Sequence, residues 1–386
     1  MQKKTLEIGS TDFKHFVQNN FYLVDKTRLI EEFFNGASYI ALMPRPRRFG
    51  KSLNLSMLEY FFDITKKEDH SIFDEFAIAQ NDHFCQQHQN RYPVINLSLK
   101  NSKASSWEKC YEALKREIAL LYIDYQFLVE ADILSEEEVK TFHAITDRTA
   151  GQIDYKYSLQ DLSLYLQRFF GVQVIILVDE YDTPIISAYQ YATQPFRAGD
   201  PDTYYAKVIE FLRTFLGAAY KGNKSLKKGL LTGITRVGKE SIFSDWNNFN
   251  VYPVTSAYFS DKFGFTQDET REMLAYFGMQ DSYADVERWY NGYRFGQTGS
   301  IYNPWSVVNY VARSADGLQP YWVNTSSDAL IRDRITEPGV GRTIQTLLEG
   351  DEVAKPIKEN FVFADFDTQK ELLWTLLLYS GYLTQT

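Results

Sequence analysis

The sequence predicts an α/β fold, in which helices cover both faces of a mainly parallel β-sheet and a mostly helical region follows. Two observations lead to this prediction. Short apolar runs alternate with stretches of helical periodicity along the first two thirds of the chain. From about Ser260 the strand signals become rare. We therefore expect one domain at residues 1–259 and a second at residues 260–386.

Five apolar segments are predicted to form the sheet, and helical stretches separate them. The segment VQVIILVDEYD is the best candidate for a central strand, because it is rich in β-branched residues. Ser135 precedes three glutamates and is expected to cap a helix. The predicted strands lie within residues 38–43, 92–99, 172–182, 229–238 and 250–254. One predicted helix begins after Lys51, and further helical stretches span residues 106–148, 158–170 and 203–220.

The composition excludes several classes of protein. Hydrophobic residues make up 44% of the 386 residues, so the chain can build a core and is not globally disordered. The net charge of −9 argues against a broadly basic surface for duplex nucleic acid, although a local basic groove remains possible. Only two cysteines are present, and no apolar stretch approaches the roughly 18 residues of a membrane span. We expect a cytoplasmic protein without a membrane partner.

The stretch RPRRFGKSL, residues 45–53, ends like a phosphate-binding loop. Gly50-Lys51-Ser52 is the closing half of the pattern G-x-x-x-x-G-K-[ST], but Arg45 stands where the opening glycine is expected. A predicted strand precedes the loop and a predicted helix follows it, so backbone N–H groups at the helix start would face an anion. The loop carries a basic cluster of Arg45, Arg47, Arg48 and Lys51, which suits polyphosphate. The alternative is a basic surface loop.

The loop defines a set of expected nucleotide contacts. Lys51 would reach the outer phosphates of ATP, and Ser52 would bind Mg²⁺. The residues expected to bind the nucleotide are Arg47, Arg48, Phe49, Gly50, Lys51, Ser52 and Leu53, together with Thr232 from a later strand.

An acidic pair follows the apolar strand IILV. In a nucleotide hydrolase, Asp179 would hold Mg²⁺ and Glu180 would orient the attacking water. The alternative is a pair of solvated carboxylates at a strand end. Asp182 is expected to stabilise a turn or to support the residues around the metal.

The stretch LLTGITRVGK supplies the last group of candidates. Thr232 and Thr235 are candidates for sensing the γ-phosphate. Arg236 is a catalytic candidate that would neutralise developing charge, either in its own site or in that of a neighbouring subunit, so a homo-oligomer is possible. The alternative is a surface arginine beside a capping threonine.

Several stretches in order along the chain resemble the AAA-ATPase-like family, whose members often carry a C-terminal PD-(D/E)XK nuclease domain. They are FYLVDKTRLIEEFF, MPRPRRFGKSLNLSMLEYFF, ILVDEYDTPI, LTGITRVGKESIFSDWNN, WYNGYRFG, IYNPWSVVNY and YWVNTSS. The resemblance implies a P-loop NTPase three-layer sandwich followed by a helical lid, and it implies that an arginine-rich loop with one glycine is the family's own form.

The resemblance also bears on two further segments and on the end of the chain. It implies that Asp25-Lys26-Thr27 lies near the adenine and ribose, although an N-cap is the alternative. The aromatic residues between Trp289 and Trp305 would form the lid core or stack on a base. No D…[DE]-x-K constellation follows residue 350, so we expect the nuclease domain to be absent from this chain and expect no nuclease activity from it.

The predicted function is an Mg²⁺-dependent ATP-binding and hydrolysing module that controls an appended nuclease acting on nucleic acid. The alternative is a nucleotide-dependent switch or oligomerisation scaffold with little or no ATP turnover. A third hypothesis, a module that only binds nucleotide, rests on Arg45. Glu180 and Arg236 distinguish the enzyme from the switch.

Overall fold

The five strands form one parallel sheet in a computed structural model that describes residues 3–191, 200–235, 242–243, 246, 249–323, 331, 334–335, 339–358, 365 and 369–385. They are β1 (Ile40–Pro44), β2 (Val94–Ser98), β3 (Val174–Asp179), β4 (Leu226–Gly233) and β5 (Phe249–Val251). Their order in the sheet is β2-β3-β4-β1-β5, and every neighbouring pair is parallel. The predicted α/β class and parallel sheet are confirmed.

The helices before residue 260 connect and cover these strands. The long helical stretch predicted from residue 106 to 148 is divided by turns into three helices. The first ten helices are α1 (Phe13–Gln18), α2 (Arg28–Asn35), α3 (Lys51–Phe62), α4 (Asp82–His88), α5 (Trp107–Asp124), α6 (Phe127–Glu130), α7 (Glu136–Thr146), α8 (Gln152–Phe170), α9 (Thr183–Gln190) and α10 (Tyr204–Tyr220). Short 3-10 helices span Ile64–Phe73, Ala77–Gln80 and Lys100–Ser102.

The helices lie on both faces of the sheet, as a three-layer sandwich requires. The chain moves from β1 to β2 in one direction and returns through β3 to β4 in the other. Since crossovers between parallel strands are right-handed, α3 covers one face, and α5, α8 and α10 cover the other. Helices α8 and α10 pack against each other. All six residues of β3 are buried between these layers, as expected for an interior strand. The middle position of the sheet belongs to β4, which lies next to β3.

Local signals set several of these boundaries. Ser135 caps α7: its hydroxyl accepts a hydrogen bond from the Glu138 N–H, and the Glu138 carboxylate accepts one from the Ser135 N–H. The expected N-cap is therefore confirmed. Among the described helices, none is both long and apolar enough to span a bilayer.

A mostly helical lid follows the sheet, as predicted, but it also contains a hairpin. Its helices are α11 (Gln267–Tyr276), α12 (Tyr283–Tyr290), α13 (Pro304–Ala312), α14 (Val340–Leu348) and α15 (Leu372–Ser380), with 3-10 helices at Gln280–Ser282 and Ser314–Asp316. The antiparallel strands β6 (Tyr293–Phe295) and β7 (Thr298–Ile301) form the hairpin.

The packing around residue 260 is continuous. Phe259 and Phe263 belong to the same hydrophobic core as the sheet, and so does Phe295 of the hairpin. A smaller core contains Met273, Val286 and neighbouring residues of α11 to α13. The division into residues 1–259 and 260–386 stays a prediction.

A glycine in β4 tests the packing of the sheet against α10. A Cβ at Gly229 would lie 2.5 Å from a ring carbon of Tyr220, which is itself buried. We expect Gly229→Ala to lower the free energy of unfolding by about 1–3 kcal/mol, because the ring must move. Gly217→Ala is the matched control: outside the backbone of its own helix and its chain neighbours, no described residue has an atom within 4 Å of the added methyl group. Gly217 lies in the last turn of α10, where alanine is still the better helix former, so the substitution should raise stability by up to about 0.5–1 kcal/mol. Denaturant unfolding of both variants measures this, and a Gly229→Ala chain as stable as wild type contradicts the packing.

Candidate functional site

The loop between β1 and α3 ends at an open helix N-terminus. Gly50 precedes the helix with φ +81°, a left-handed conformation that favours glycine. Apart from its two chain neighbours, no described residue has an atom within 4 Å of where a Cβ of Gly50 would be. The first N–H groups of a helix lack partners within the helix. This arrangement suits an anion such as a phosphate.

Lys51 is held beneath the loop. Its side chain is buried, and its Nζ donates hydrogen bonds of 3.0 Å to the carbonyl oxygens of Arg45 and Pro46. Burial lowers the pKa of the Lys51 ammonium, whereas the charges of Asp179, Glu180 and Asp182 raise it. The ammonium therefore lies between the loop and the acidic end of β3.

Asp179 connects three of the predicted site residues. Its carboxylate accepts hydrogen bonds of 2.5 Å from the Ser52 and Thr232 hydroxyls, one on each oxygen. The Glu180 N–H also donates to it, at 2.9 Å. The parallel strands β1, β4 and β3 end side by side. Residues from the loop, from β4 and from β3 thus meet at one edge of the sheet.

Glu180 occupies a constrained position directly after β3. Its backbone φ is +51°, which is uncommon for a residue other than glycine. Its Oε2 accepts a hydrogen bond of 3.1 Å from the Thr183 hydroxyl. Burial and then the charge of Asp179 raise the pKa of Glu180, against the opposing charge of Lys51. A carboxylate with a raised pKa is better suited to accepting a proton.

Asp182 organises the turn that follows β4. One carboxylate oxygen accepts hydrogen bonds from the Ile234 N–H (2.9 Å), the Thr235 N–H (2.8 Å) and the Thr235 hydroxyl (2.9 Å). Burial raises the pKa of Asp182, although these bonds oppose the rise. Thr235 is therefore directed at Asp182, and of the two threonine candidates Thr232 is the one that contacts Asp179. Arg236 lies outside the described residues.

The other side chains of the loop differ in their exposure. Arg47 is partly buried, and Arg48 is exposed, with its guanidinium 4.0 Å from the centre of the Trp305 ring. Phe49 is buried, and its ring packs against Tyr293. The expectation that Arg45 belongs to the basic cluster is wrong, because its side chain is fully buried and bonded to backbone carbonyl oxygens.

Sequence reasoning missed an apolar cavity beside the loop. Its volume is about 130 Å³, and it adjoins Gly50 and Leu53 at the start of α3. The other walls come from the N-terminal segment and from the lid; they include Leu6, Tyr22, Val24, Phe265, Met273 and Pro304. The one hint in the sequence was the Asp25-Lys26-Thr27 segment, of which Lys26 lines the cavity.

The neighbours of Lys26 serve local structure instead. Asp25 accepts hydrogen bonds from the N–H and the hydroxyl of Thr27, at 2.8 and 2.6 Å. Lys26 donates to the Asp261 carbonyl oxygen at 2.7 Å and pairs with Glu269 at the start of α11. Lys26 therefore connects the segment before α2 to the start of α11, next to the cavity.

The aromatic residues of the lid are divided between core and surface. Tyr290 and Tyr302 are buried, as a lid core requires. Trp289 is 45% exposed and lines a separate cavity of about 810 Å³ with Tyr293, Trp322 and Trp374.

Two comparisons with known proteins give matches to this chain. A family model described as Predicted AAA-ATPase matches residues 7–243, more than half of the chain. The chain is also 27% identical to a protein of Azotobacter chroococcum mcd 1 that is described as "Uncharacterized protein in vnfD 5'region". That similarity covers 100% of this chain and 64% of the relative, so the chain spans less than two thirds of the relative's length.

The hydrogen bonds of Asp182 predict a difference between two threonine substitutions. Thr235→Val removes a buried donor to Asp182 and should lower the free energy of unfolding by about 1–3 kcal/mol. Thr149→Val is the control, since the Thr149 hydroxyl is exposed; we expect a change within about 0.5 kcal/mol. Denaturant unfolding measures both. Equal stabilities of the two variants would show that the Asp182 contact contributes nothing.

Proposed function

The chain belongs to the family of predicted AAA-ATPases, and on that premise we propose that it binds ATP with Mg²⁺ at the loop before α3 and hydrolyses the bond to the γ-phosphate. The hydrogen bond between Ser52 Oγ and Asp179 Oδ2 carries this proposal. It joins the residue after the loop lysine to the carboxylate at the end of β3, and both side chains offer oxygen to a divalent cation.

The phosphates would occupy the space above the start of α3. The N–H groups of the loop and helix start would donate to phosphate oxygens, and the positive end of the helix would favour their charge. The Lys51 ammonium would exchange its two carbonyl acceptors in the loop for phosphate oxygens. Arg47 and Arg48 of the same loop would add positive charge.

The base would occupy the apolar cavity. Its walls are mainly apolar side chains, and they include Gly50 and Leu53 at the start of α3, where the phosphates are proposed to bind. An apolar slot that adjoins a polar anion site is typical of a cofactor pocket. Since Phe265 and Met273 of the lid form part of the wall, nucleotide binding would depend on the position of the lid.

The residues present fit an Mg²⁺ ion. Ser52 and Asp179 would hold it, with Thr232 supporting the Asp179 carboxylate, because hydroxyl and carboxylate oxygens are suitable ligands. Bound Mg²⁺ supplies charge neutralisation to the phosphates. Among the described residues, no group of three or more His, Cys, Asp or Glu side chains forms a metal cage. The ion would therefore be shared with the nucleotide, as Mg²⁺ usually is.

Glu180 would act as the general base. Its raised pKa favours proton acceptance, and the Thr183 hydroxyl orients one of its oxygens. Thr232 would sense the γ-phosphate through Asp179. The role of Arg236 in stabilising transferred charge, in its own site or in a neighbour's, remains part of the proposal.

The proposal extends to the control of a nuclease by ATP turnover. It is supported by the resemblance to proteins that join this ATPase to a PD-(D/E)XK domain. ATP turnover would then regulate cleavage of a nucleic acid by that domain. ATP turnover measured with and without DNA or RNA tests the connection, and turnover that is indifferent to both would count against it.

Lys51 tests nucleotide binding. Lys51→Ala removes a cation from the phosphate site, so we expect ATP to bind at least tenfold more weakly, a loss of about 1.4 kcal/mol or more. Calorimetric titration with ATP measures the affinity. Lys67→Ala, on an exposed lysine, is the control and should bind like wild type. Equal affinity of wild type and Lys51→Ala would reject the site.

Glu180 tests hydrolysis. Glu180→Gln keeps the size of the side chain but removes the base, so ATP should stay bound while turnover falls on the order of a hundredfold. Phosphate release measures turnover, and Glu68→Gln, on an exposed residue, is the control. If wild type and Glu180→Gln hydrolyse equally, Glu180 is not the base. If neither hydrolyses, the nucleotide-dependent switch is the better account.

A further inference from the structure

Arg45 stands at the opening position of the phosphate loop, with its side chain fully buried. One terminal nitrogen donates to the carbonyl oxygens of Pro44 (2.8 Å) and Tyr252 (2.6 Å), and the other donates to the Phe259 oxygen (3.0 Å). The guanidinium carbon lies 4.9 Å from the centre of the Phe263 ring and 5.5 Å from that of Phe295.

Burial of the Arg45 guanidinium costs free energy. A buried guanidinium loses its hydration, and burial lowers the pKa of Arg45 to about 9. No charge of a described carboxylate offsets that change. Carbonyl dipoles and ring faces provide the compensation, and Nε has no hydrogen-bond partner among the described residues. An apolar side chain at a buried position would avoid this free-energy cost.

The contacts of Arg45 join the loop to the path into the lid. Tyr252 follows β5, Phe259 and Phe263 lie before α11, and Phe295 ends β6. On the other side, the Arg45 N–H donates to the Gly233 carbonyl oxygen at the end of β4. One residue therefore contacts the sheet end, the loop and the segments that lead into the lid.

One of these segments, the stretch directly before α11, also forms a wall of the apolar cavity through Lys262, Gly264 and Phe265. The Gly264 N–H donates to the Phe49 carbonyl oxygen at 3.3 Å, and Phe49 packs against Phe295. Gly264 and Phe265 line the cavity together with Phe49. A displacement of residues 252–264 would therefore open the cavity next to the loop.

We propose that Arg45 is a positioning residue that fixes the phosphate loop to the lid and keeps the base cavity closed, without contacting the nucleotide. This inference rests on the proposed function. It also explains why arginine replaces the usual glycine: the loop needs a long donor directed inwards at this position. Restoring glycine should therefore weaken the site.

The test compares Arg45→Gly with Arg45→Lys by hydrogen–deuterium exchange of the nucleotide-free chain and by ATP calorimetry. We expect exchange at residues 252–264 to rise about tenfold in Arg45→Gly and ATP to bind about tenfold more weakly. Arg45→Lys should give smaller changes in both, since one ammonium cannot match the geometry of the planar guanidinium. Arg47→Gly adds the same backbone freedom to the loop and should leave exchange at residues 252–264 unchanged.

Each contrary outcome has a separate meaning. Weaker ATP binding with unchanged exchange would show that Arg45 contacts the nucleotide, and faster exchange with unchanged ATP binding would make it merely structural; both overturn the proposal. If Arg45→Gly does not fold, Arg45→Lys decides by the same two readouts. If wild type does not bind ATP, the proposed function fails, and exchange alone then decides whether Arg45 joins the loop to the lid.

Discussion

The carboxylate of Asp179 is the interaction on which the candidate site depends. It accepts hydrogen bonds from Ser52 and Thr232, which lie 127 and 53 residues away in the sequence. These contacts exist because β1, β4 and β3 are adjacent and parallel, so that their carboxyl ends meet at one edge. Ligands of open α/β sheets bind at this kind of edge, where the chain changes direction across the sheet. The strand order therefore explains why the loop, Asp179 and Thr232 lie close together.

Much of the fold follows from local sequence patterns. Apolar runs predicted β1 to β4, because buried parallel strands need nearly continuous apolar sequence. The edge strand β5 (Phe249–Val251) overlaps the fifth predicted segment but is only partly buried. The strand order was not predictable in this way. The position of β4 between β3 and β1 depends on contacts between distant segments, which periodicity does not report. The hairpin of β6 and β7 was missed because strands of three and four residues give too short a pattern.

The site was predictable where a motif specifies backbone geometry. Gly50, Lys51 and Ser52 define a helix start, and Asp179 ends a strand, so their meeting could be expected. The direction of the Arg45 side chain could not, because motif spacing does not distinguish a basic residue facing solvent from one facing the core. The apolar cavity was missed for a related reason: its walls come from the N-terminal segment, α3 and the lid, which are far apart in sequence. Thr232 and Thr235 were both candidates for sensing the γ-phosphate, and the sequence could not report that the Thr235 hydroxyl donates to Asp182.

A crystal structure with a non-hydrolysable ATP analogue and Mg²⁺ tests the central claim most directly. The account predicts the triphosphate at the N–H groups of Gly50, Lys51 and Ser52, the metal between Ser52 and Asp179, and the base in the cavity beside Tyr22 and Phe265. A nucleotide in the separate cavity beside Trp289 and Trp322, or one whose phosphates lie away from Lys51, would contradict it.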